Sequence, residues 1–501
     1  MRSRRLAPLW PGAAALLVTF SACTVGPDYK RPEVEAPETW QTDSYWRLAS
    51  PSHAPLTLDW WHTFDDAQLD ALETQALAQN QTLAAASAHY QQAKATLALT
   101  SAQRLPEVDM SGQLARAKIS KNRPMLNYTV PNQSTVQNEV LVGPTITYDT
   151  DLFGRIRREV ESASASAQQA ADDLANARLV LTTDLATDYY ALRELDAETD
   201  VLIQSVQLQE KALDYVKAEH DLGSVSGLDL LQQQSLLDET RVQATLLLTQ
   251  RAQYEHAIAA LIGVPAPQFS IAQKVVPKVP AISVGIPSDL LQRRPDIASA
   301  ERAMAAANAQ IGVAKAAFFP SLTLSPGIGW ESTAFASLFT APSLMWTLGA
   351  SFGQVIFDGG QRKANLNFAS EGYRLAEANY RQTVLNAFQE VQDGITGLSV
   401  LDDASKQAHA AVEDASRLLS LANDRYSGGL VAYLNVISAQ QSLLTSQRQE
   451  VQIHGQQMAF SVALVKALGG GWDAQAPSTG IAGAAGAQSA SRKVSGLENI
   501  H

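Results

Sequence analysis

Cys23 is the only cysteine among 501 residues, so no internal disulfide is open to it. Arg2, Arg4 and Arg5 precede an apolar run over 13–20, and Phe20-Ser21-Ala22 leads into the thiol. That is the layout of a secretory signal ending at small residues. Two readings stand for Cys23. It is a spare residue within a discarded leader, or it closes a lipoprotein signal over 1–22. In the second case it becomes the first mature residue, with diacylglycerol on its sulfur and an acyl chain on its nitrogen. Phe20 departs from the Leu usual in that signal. Thr24, in place of Asp, points to retention in an outer membrane.

Elsewhere the reactive side chains do not converge. The histidines (His53, His62, His89, His220, His256, His409, His454 and His501) have no HExxH or paired metal spacing, so neither a metal site nor a catalytic residue is expected. Glu255-His256 reads as a solvated helix pair. Gly327-Ile328-Gly329 lies in a strand pattern and lacks the phosphate-binding residues that would follow it. No cofactor is expected beyond the Cys23 lipid. Loss of the leader takes Lys and Arg from 38 to 35 against 50 Asp and Glu, a net charge near −15. That balance disfavours nucleic acid as a partner and suits cationic or neutral solutes.

The elements that must position these groups are written twice, about 206 residues apart. Arg104-Leu105-Pro106 answers Phe318-Phe319-Pro320. Leu222-Gly223 answers Gly428-Gly429, and Leu261-Ile262-Gly263 answers Ala467-Leu468-Gly469. The first copy spans 67–263 and the second 288–470, with a linker at 264–287 and a lipid-anchored segment at 23–66. Each copy reads as helix, strand, loop, strand, very long helix, tight turn, helix. Between Arg155 and Leu222, 68 residues contain neither Gly nor Pro. A helix of that length reaches about 100 Å. The long helices are expected over 154–222 and 360–427, and the returning ones over 228–262 and 432–468. Leu174, Leu181, Leu185, Leu192, Leu195, Leu202, Val206, Leu213 and Val216 keep an average spacing of 3.5, the signature of coiled-coil packing. Tyr373, Tyr380, Val384, Val391, Leu398, Leu401, Ala408, Val412, Leu419 and Ala422 repeat it.

Strands are expected at 106–119, 139–152, 319–331 and 345–357 from alternation. Val108, Met110 and Leu114 alternate with Glu107, Asp109 and Gln113; Trp346, Leu348 and Phe352 alternate with Thr347, Gly349 and Ser351. A half-buried soluble sheet alternates in the same way as an outer-membrane barrel. The strand count separates the architectures. Four strands cannot close a barrel, and an open edge in lipid leaves backbone groups unpaired, so several chains must pool their strands. No segment has the run of about 18 apolar residues that a membrane helix needs. The loops at 121–138 and 331–344 are expected outside the cell. The tail over 471–501 is rich in Gly, Ala and Ser, reads as disordered, and is assigned no function.

Three blocks resemble one family. They are Val25-Gly26-Pro27-Asp28-Tyr29-Lys30-Arg31-Pro32, Asp59-Trp60-Trp61-His62-Thr63-Phe64-Asp65-Asp66, and Ile286-Pro287-Ser288-Asp289-Leu290-Leu291-Gln292-Arg293-Arg294-Pro295-Asp296-Ile297. In this order they resemble outer-membrane efflux lipoproteins of the TolC/OprM type, the NodT subfamily. The resemblance implies a mixed α and β homotrimer: a 12-stranded outer-membrane β-barrel with four strands from each chain, continuous with a periplasmic 12-helix α-barrel and girdled by an equatorial domain. It implies an exit duct serving an inner-membrane RND-type pump and a periplasmic adaptor, with outer-membrane lipid around it and no chemistry of its own. Ducts for metal ions or for type I protein secretion share the scaffold, and a periplasmic structural or adaptor protein is the remaining rival. The resemblance also implies a gate at the periplasmic tip. Its carboxylate positions fall here on Asn435 and Ser438, both uncharged, while the Tyr of the tip link falls on Tyr426 beside Arg425. Asp229, the first-copy counterpart of Asn435, is either a gate charge or a helix N-terminal acid favoured by the macrodipole. Gly223, Ser224, Gly428, Gly429 and Leu430 form the reversals at which an adaptor would dock.

Overall fold

The computed structural model describes residues 24–32, 37, 40, 57–122, 135–274, 279, 280, 282 and 291–473. Cys23 with its leader, most of the loop at 121–138, the first half of the Ile286–Ile297 block and the tail beyond Asp473 lie outside the described residues. The elements in chain order are α1 (Ala67–Gln79), α2 (Gln81–Ala102), β1 (Glu107–Ile119), β2 (Thr135–Asp149), α3 (Arg155–Asp221), α4 (Gly227–Leu261), α5 (Pro295–Ala316), β3 (Ser321–Ser332), β4 (Leu344–Gly353), α6 (Gln361–Ser427) and α7 (Tyr433–Ala467). Among the described residues no helix is long and apolar enough to cross a membrane.

The chain divides into two compact units, and the long helices contribute residues to each. One unit holds the sheet, antiparallel throughout in the order β1-β2-β3-β4. The central pairing joins β2 to β3, with Val142 opposite Trp330 and Tyr148 opposite Leu324. At this seam a Cβ on Gly143 would lie 2.5 Å from the Ile328 carbonyl oxygen, so only glycine admits the approach. β1 and β4 are the two edges. Their apolar alternation faces open space, with Met110 76% and Leu348 79% exposed.

Three element boundaries differ from the sequence reading. The single helix expected at the start of the first copy is broken at Asn80, whose extended backbone ends α1. Asn80 Oδ1 then accepts from the Leu83 amide, capping α2, while Nδ2 donates to the Leu261 carbonyl. β2 runs from Thr135 to Asp149 rather than 139–152, because Gln137 and Asn138 pair with Ala117 and Arg116. At its other end Asp151 turns left-handed, with φ 47°. β4 ends at Gly353 rather than 357, where its partner β3 begins at Ser321. Pro320 just before β3 has no amide hydrogen with which to extend the ladder.

Asp151 starts α3 by accepting from the amides of Ile156 and Arg157. Asp358 does the same for α6 through the amides of Gly360 and Arg362. The seven-residue stripes are the inner faces of these helices. Leu174, Leu181, Leu185, Leu192, Leu195, Leu202 and Val216 are buried, as are Tyr380, Val384, Val391, Leu398, Ala408, Leu419 and Ala422. The remaining stripe positions, Val206, Leu213, Tyr373, Leu401 and Val412, are half-buried.

Candidate gate and docking tip

Both long helices end in the same reversal. After α3 the Gly223 amide donates to the His220 carbonyl (2.8 Å) and the Ser224 amide to Glu219 (2.9 Å). After α6 Gly429 donates to Tyr426 (2.8 Å) and Leu430 to Arg425 (2.8 Å). These are paired Schellman bonds, which need a left-handed residue just past the helix. Gly223 (φ 75°) and Gly429 (φ 74°) supply it. Nothing lies within 4 Å of a Cβ built on either, so backbone conformation alone demands glycine there. Gly428 is not left-handed and has no such requirement. Leu222, Leu228, Leu430 and Leu434 are exposed around the two turns.

The returning helices begin differently. Ser226 caps α4 by accepting from the Asp229 amide, and the Asp229 carboxylate turns back to accept from the Ser226 amide and hydroxyl. Of the two roles open to Asp229, this geometry is that of the helix N-terminal acid, in a capping box. The N-cap of α7 is Ala432, which offers no side chain, and Asn435 Nδ2 instead donates to the Ala432 carbonyl (3.1 Å). Ser438 is exposed one turn on, and Arg425 forms no ion pair among the described residues. Tyr426 stands edge-on to Tyr433, ring centres 5.0 Å apart. Burial, then the nearby Tyr215, Glu219 and Asp229, push its hydroxyl above the usual phenol range.

The tip core contains a polar contact that the heptad pattern did not reveal. Val216, Leu236, Leu419, Ala422, Val436, Ile437 and Ala439 form one buried cluster with Tyr433. Inside it the Tyr433 hydroxyl donates to Gln233 Oε1 (2.9 Å), and Gln233 Nε2 donates to the Gln209 carbonyl (3.1 Å). One signal was available: at the spacing of the copies Tyr433 corresponds to Gly227, and Gln233 to Ala439.

The three sequence blocks act as clasps. Val25 donates through its amide to the Phe153 carbonyl. Buried Arg158 donates to the Val25 and Gly26 carbonyls and to Asp28. Asn308 donates to the Pro27 carbonyl, Tyr29 to Glu301, and Arg31 to the Tyr380 hydroxyl. Thr24 therefore rests against Gly154, beside the junction of β2 and α3. In the second block Trp60, Trp61 and Phe64 are buried, Phe64 stacks on Tyr190, and Asp66 accepts from Tyr189 (2.7 Å) and Lys274 (2.9 Å). In the third, Arg294 joins Asp296 and Glu390 and donates to the Ala467 carbonyl.

Nearby, Asp196 bridges Arg193 (2.7 Å) and Arg251 (2.8 Å). Arg251 and Glu255 hold both backbone groups of Ile271 in the linker. Glu255 is thus a structural ligand of the linker rather than part of a solvated pair; His256 is exposed. Glu73 is 0% exposed with neither carboxylate oxygen hydrogen-bonded, and burial pushes its pKa up to about 9. Among the described residues no group of His, Cys, Asp and Glu could hold a metal.

Comparison with known proteins fits this frame. Residues 72–264 and 286–470 each match the outer membrane efflux protein family. The chain is 31% identical over 470 residues to the toluene efflux pump outer membrane protein TtgF of Pseudomonas putida, covering 92% of this chain and 96% of that one. It is 29% identical over 466 residues to the cation efflux system protein CusC of Escherichia coli, covering 93% and 98%. The solved outer-membrane channel OprN superposes with a TM-score of 0.83 at 27% identity, over 90% of this chain and all of that one. Two matched segments, together covering most of the chain, make it a member of the outer membrane efflux protein family, resident in the outer membrane.

Proposed function

We propose that three copies pool their strands into one 12-stranded barrel, four from each chain, continuous with a tunnel of α2–α7 helices through the periplasm. The assembly is the passive exit duct of a tripartite pump, receiving drugs or other small toxic solutes from an RND-type inner-membrane transporter through a periplasmic adaptor docked on the reversals at Gly223 and Gly429. One observation carries this reading. The sheet has two open edges, which a lone chain in lipid would leave unpaired, and an apolar face turned to open space, which a lone chain in water would leave exposed. Pairing β4 of one chain with β1 of the next closes every edge. Cys23 carries the lipid. The clasp that seats Thr24 beside the β2–α3 junction suits acyl chains entering the membrane at the foot of the barrel.

Single cysteines at Gln113 on β1 and Thr347 on β4, placed together in a Cys23→Ser background, test the assembly. Oxidised membranes should give covalent ladders that stop at three chains. A ladder that never forms, with the protein soluble without detergent, overturns the duct. Similarity to CusC keeps a cation cargo as a second reading. Challenging a deletion strain with solvents, dyes, antibiotics and metal salts separates the two.

A further inference from the structure

Charge in the sheet is sorted by face. Side chains alternate between the two faces of a strand, and the registers place even-numbered residues together on one face across β1–β4. That face carries Met110, Leu114, Ile146, Leu348 and Phe352. The five acids among the strand residues, Glu107, Asp109, Glu139, Asp149 and Glu331, all stand on the opposite face. The two bases, Arg116 and Lys118, stand on the apolar one.

Their place along the strand narrows the role. Glu107 and Asp149 mark the end of the sheet next to α2 and α3, whereas Arg116 and Lys118 lie towards the loop end. In the duct reading, on which this inference rests, the helices are periplasmic, so the loop end meets the outer leaflet. Both side chains are exposed, as are Lys121 just past the strand and Asn138, which pairs with Arg116 across the ladder. Among the described residues none of these four side chains makes a hydrogen bond or an ion pair. Lysine on a free edge deters wrong strand pairing, but these side chains project from the face, and the duct leaves β1 no free edge. A cation on the lipid face of a barrel is costly unless it sits at the interface and meets an anion there.

We propose that Arg116 and Lys118, with Asn138 beside them, form a seat on the outer wall of the barrel for the phosphorylated saccharide headgroup of an outer-leaflet glycolipid. Two residues apart on one strand, the cations are spaced about 7 Å along it, and Lys121 extends the set. That spread suits several phosphates on linked sugars better than the single phosphate of a phospholipid. The cations pair with phosphate oxygens, the Asn138 amide hydrogen-bonds sugar hydroxyls, and acyl chains lie along Leu114 and the apolar rows beyond it. Each subunit contributes one seat.

Native mass spectrometry of the full-length lipidated protein in detergent reads assembly and bound lipid together. The probe is lipid A bearing two phosphates, with dephosphorylated lipid A and phosphatidylglycerol as comparisons. Wild type should prefer the probe to both. Arg116→Gln and Lys118→Gln should each raise its apparent dissociation constant about fivefold, the effect of one cation near an anionic membrane surface. Arg104→Gln, the same loss of charge just before the other end of β1, should leave it unchanged. Wild-type affinity in the Arg116→Gln/Lys118→Gln double variant overturns the seat, as does an equal loss with Arg104→Gln or equal binding of phosphatidylglycerol. With the trimer intact, each of these outcomes leaves the duct standing. A chain found only as a monomer brings down duct and seat together.

Discussion

The tip and the region around Trp60–Phe64 belong to the same compact unit yet are held by opposite kinds of contact. At the tip, leucines, two tyrosines and a neutral glutamine do the joining. Around the tryptophans, charges do, each set centred on a buried member: Asp66 with Lys274 and Tyr189, Asp196 between Arg193 and Arg251, Arg294 between Asp296 and Glu390. A neutral hydrogen bond contributes about 1 kcal/mol net, whereas removing one partner of a buried ion pair costs about 3–5 kcal/mol. The lesson is one of strength: a contact built on a buried charge resists separation more than a neutral one does.

The comparison is broken most severely at Asp196. Asp196→Ala strands the fully buried Arg193 guanidinium, two of whose nitrogens already lack partners, and should remove about 3–5 kcal/mol. A lowered melting temperature of the purified protein checks this, and stability within 1 kcal/mol of wild type, roughly the error of such a measurement, would count against the clasp. Glu73 gives the next largest effect, through pH. Its pKa rises from 4.5 unfolded to about 9 folded, so the folded state keeps a proton that the unfolded chain has lost. Stability contributed by that proton is complete below pH 4.5 and declines as pH climbs towards 9, by up to about 1.4 kcal/mol per unit. Glu73→Gln should flatten the fall between melts at pH 5.5 and 8.5, values chosen to lie inside that window.

At the tip, Gly223→Val or Gly429→Val forces a β-branched residue left-handed, at about 1–3 kcal/mol of local strain. Adaptor-dependent export should drop while the trimer survives detergent extraction; full export in both variants would remove the turns from the docking surface. Smallest is the cap. Ser226→Ala should cost about 1 kcal/mol, and Ala432→Ser should return part of that to the uncapped second hairpin, both read from hydrogen exchange of the first turns of α4 and α7.

Much of this was legible in the residues because the signals are local. The absence of Gly and Pro across 155–222 gave a helix over Arg155–Asp221, and the glycines after it gave the reversals. The break at Asn80 went unread although asparagine is a favoured helix cap: its bond from the Leu83 amide is local, and only its bond to the Leu261 carbonyl lies beyond the reach of sequence. Asp229 remained open in sequence because an acid three residues past a serine caps a helix and lines a pore equally well. The Tyr433–Gln233 contact left only the hint of two mismatched positions, Gly227 and Ala439: 200 residues separate the pair, and periodicity cannot register a partner in another helix. The three sequence blocks carried family likeness but not their work as clasps, which lies in hydrogen bonds to other segments.

The strap at Val25–Pro32 has a consequence for biogenesis. Its holders are spread along the polypeptide: Phe153 and Arg158, then Glu301 and Asn308, and finally Tyr380, 349 positions beyond Arg31. Contacts that far apart in the chain close late, since the entropy of a long loop must first be overcome. Complete seating of this strap therefore draws on both halves of the chain, Phe153 and Arg158 from one and Glu301, Asn308 and Tyr380 from the other.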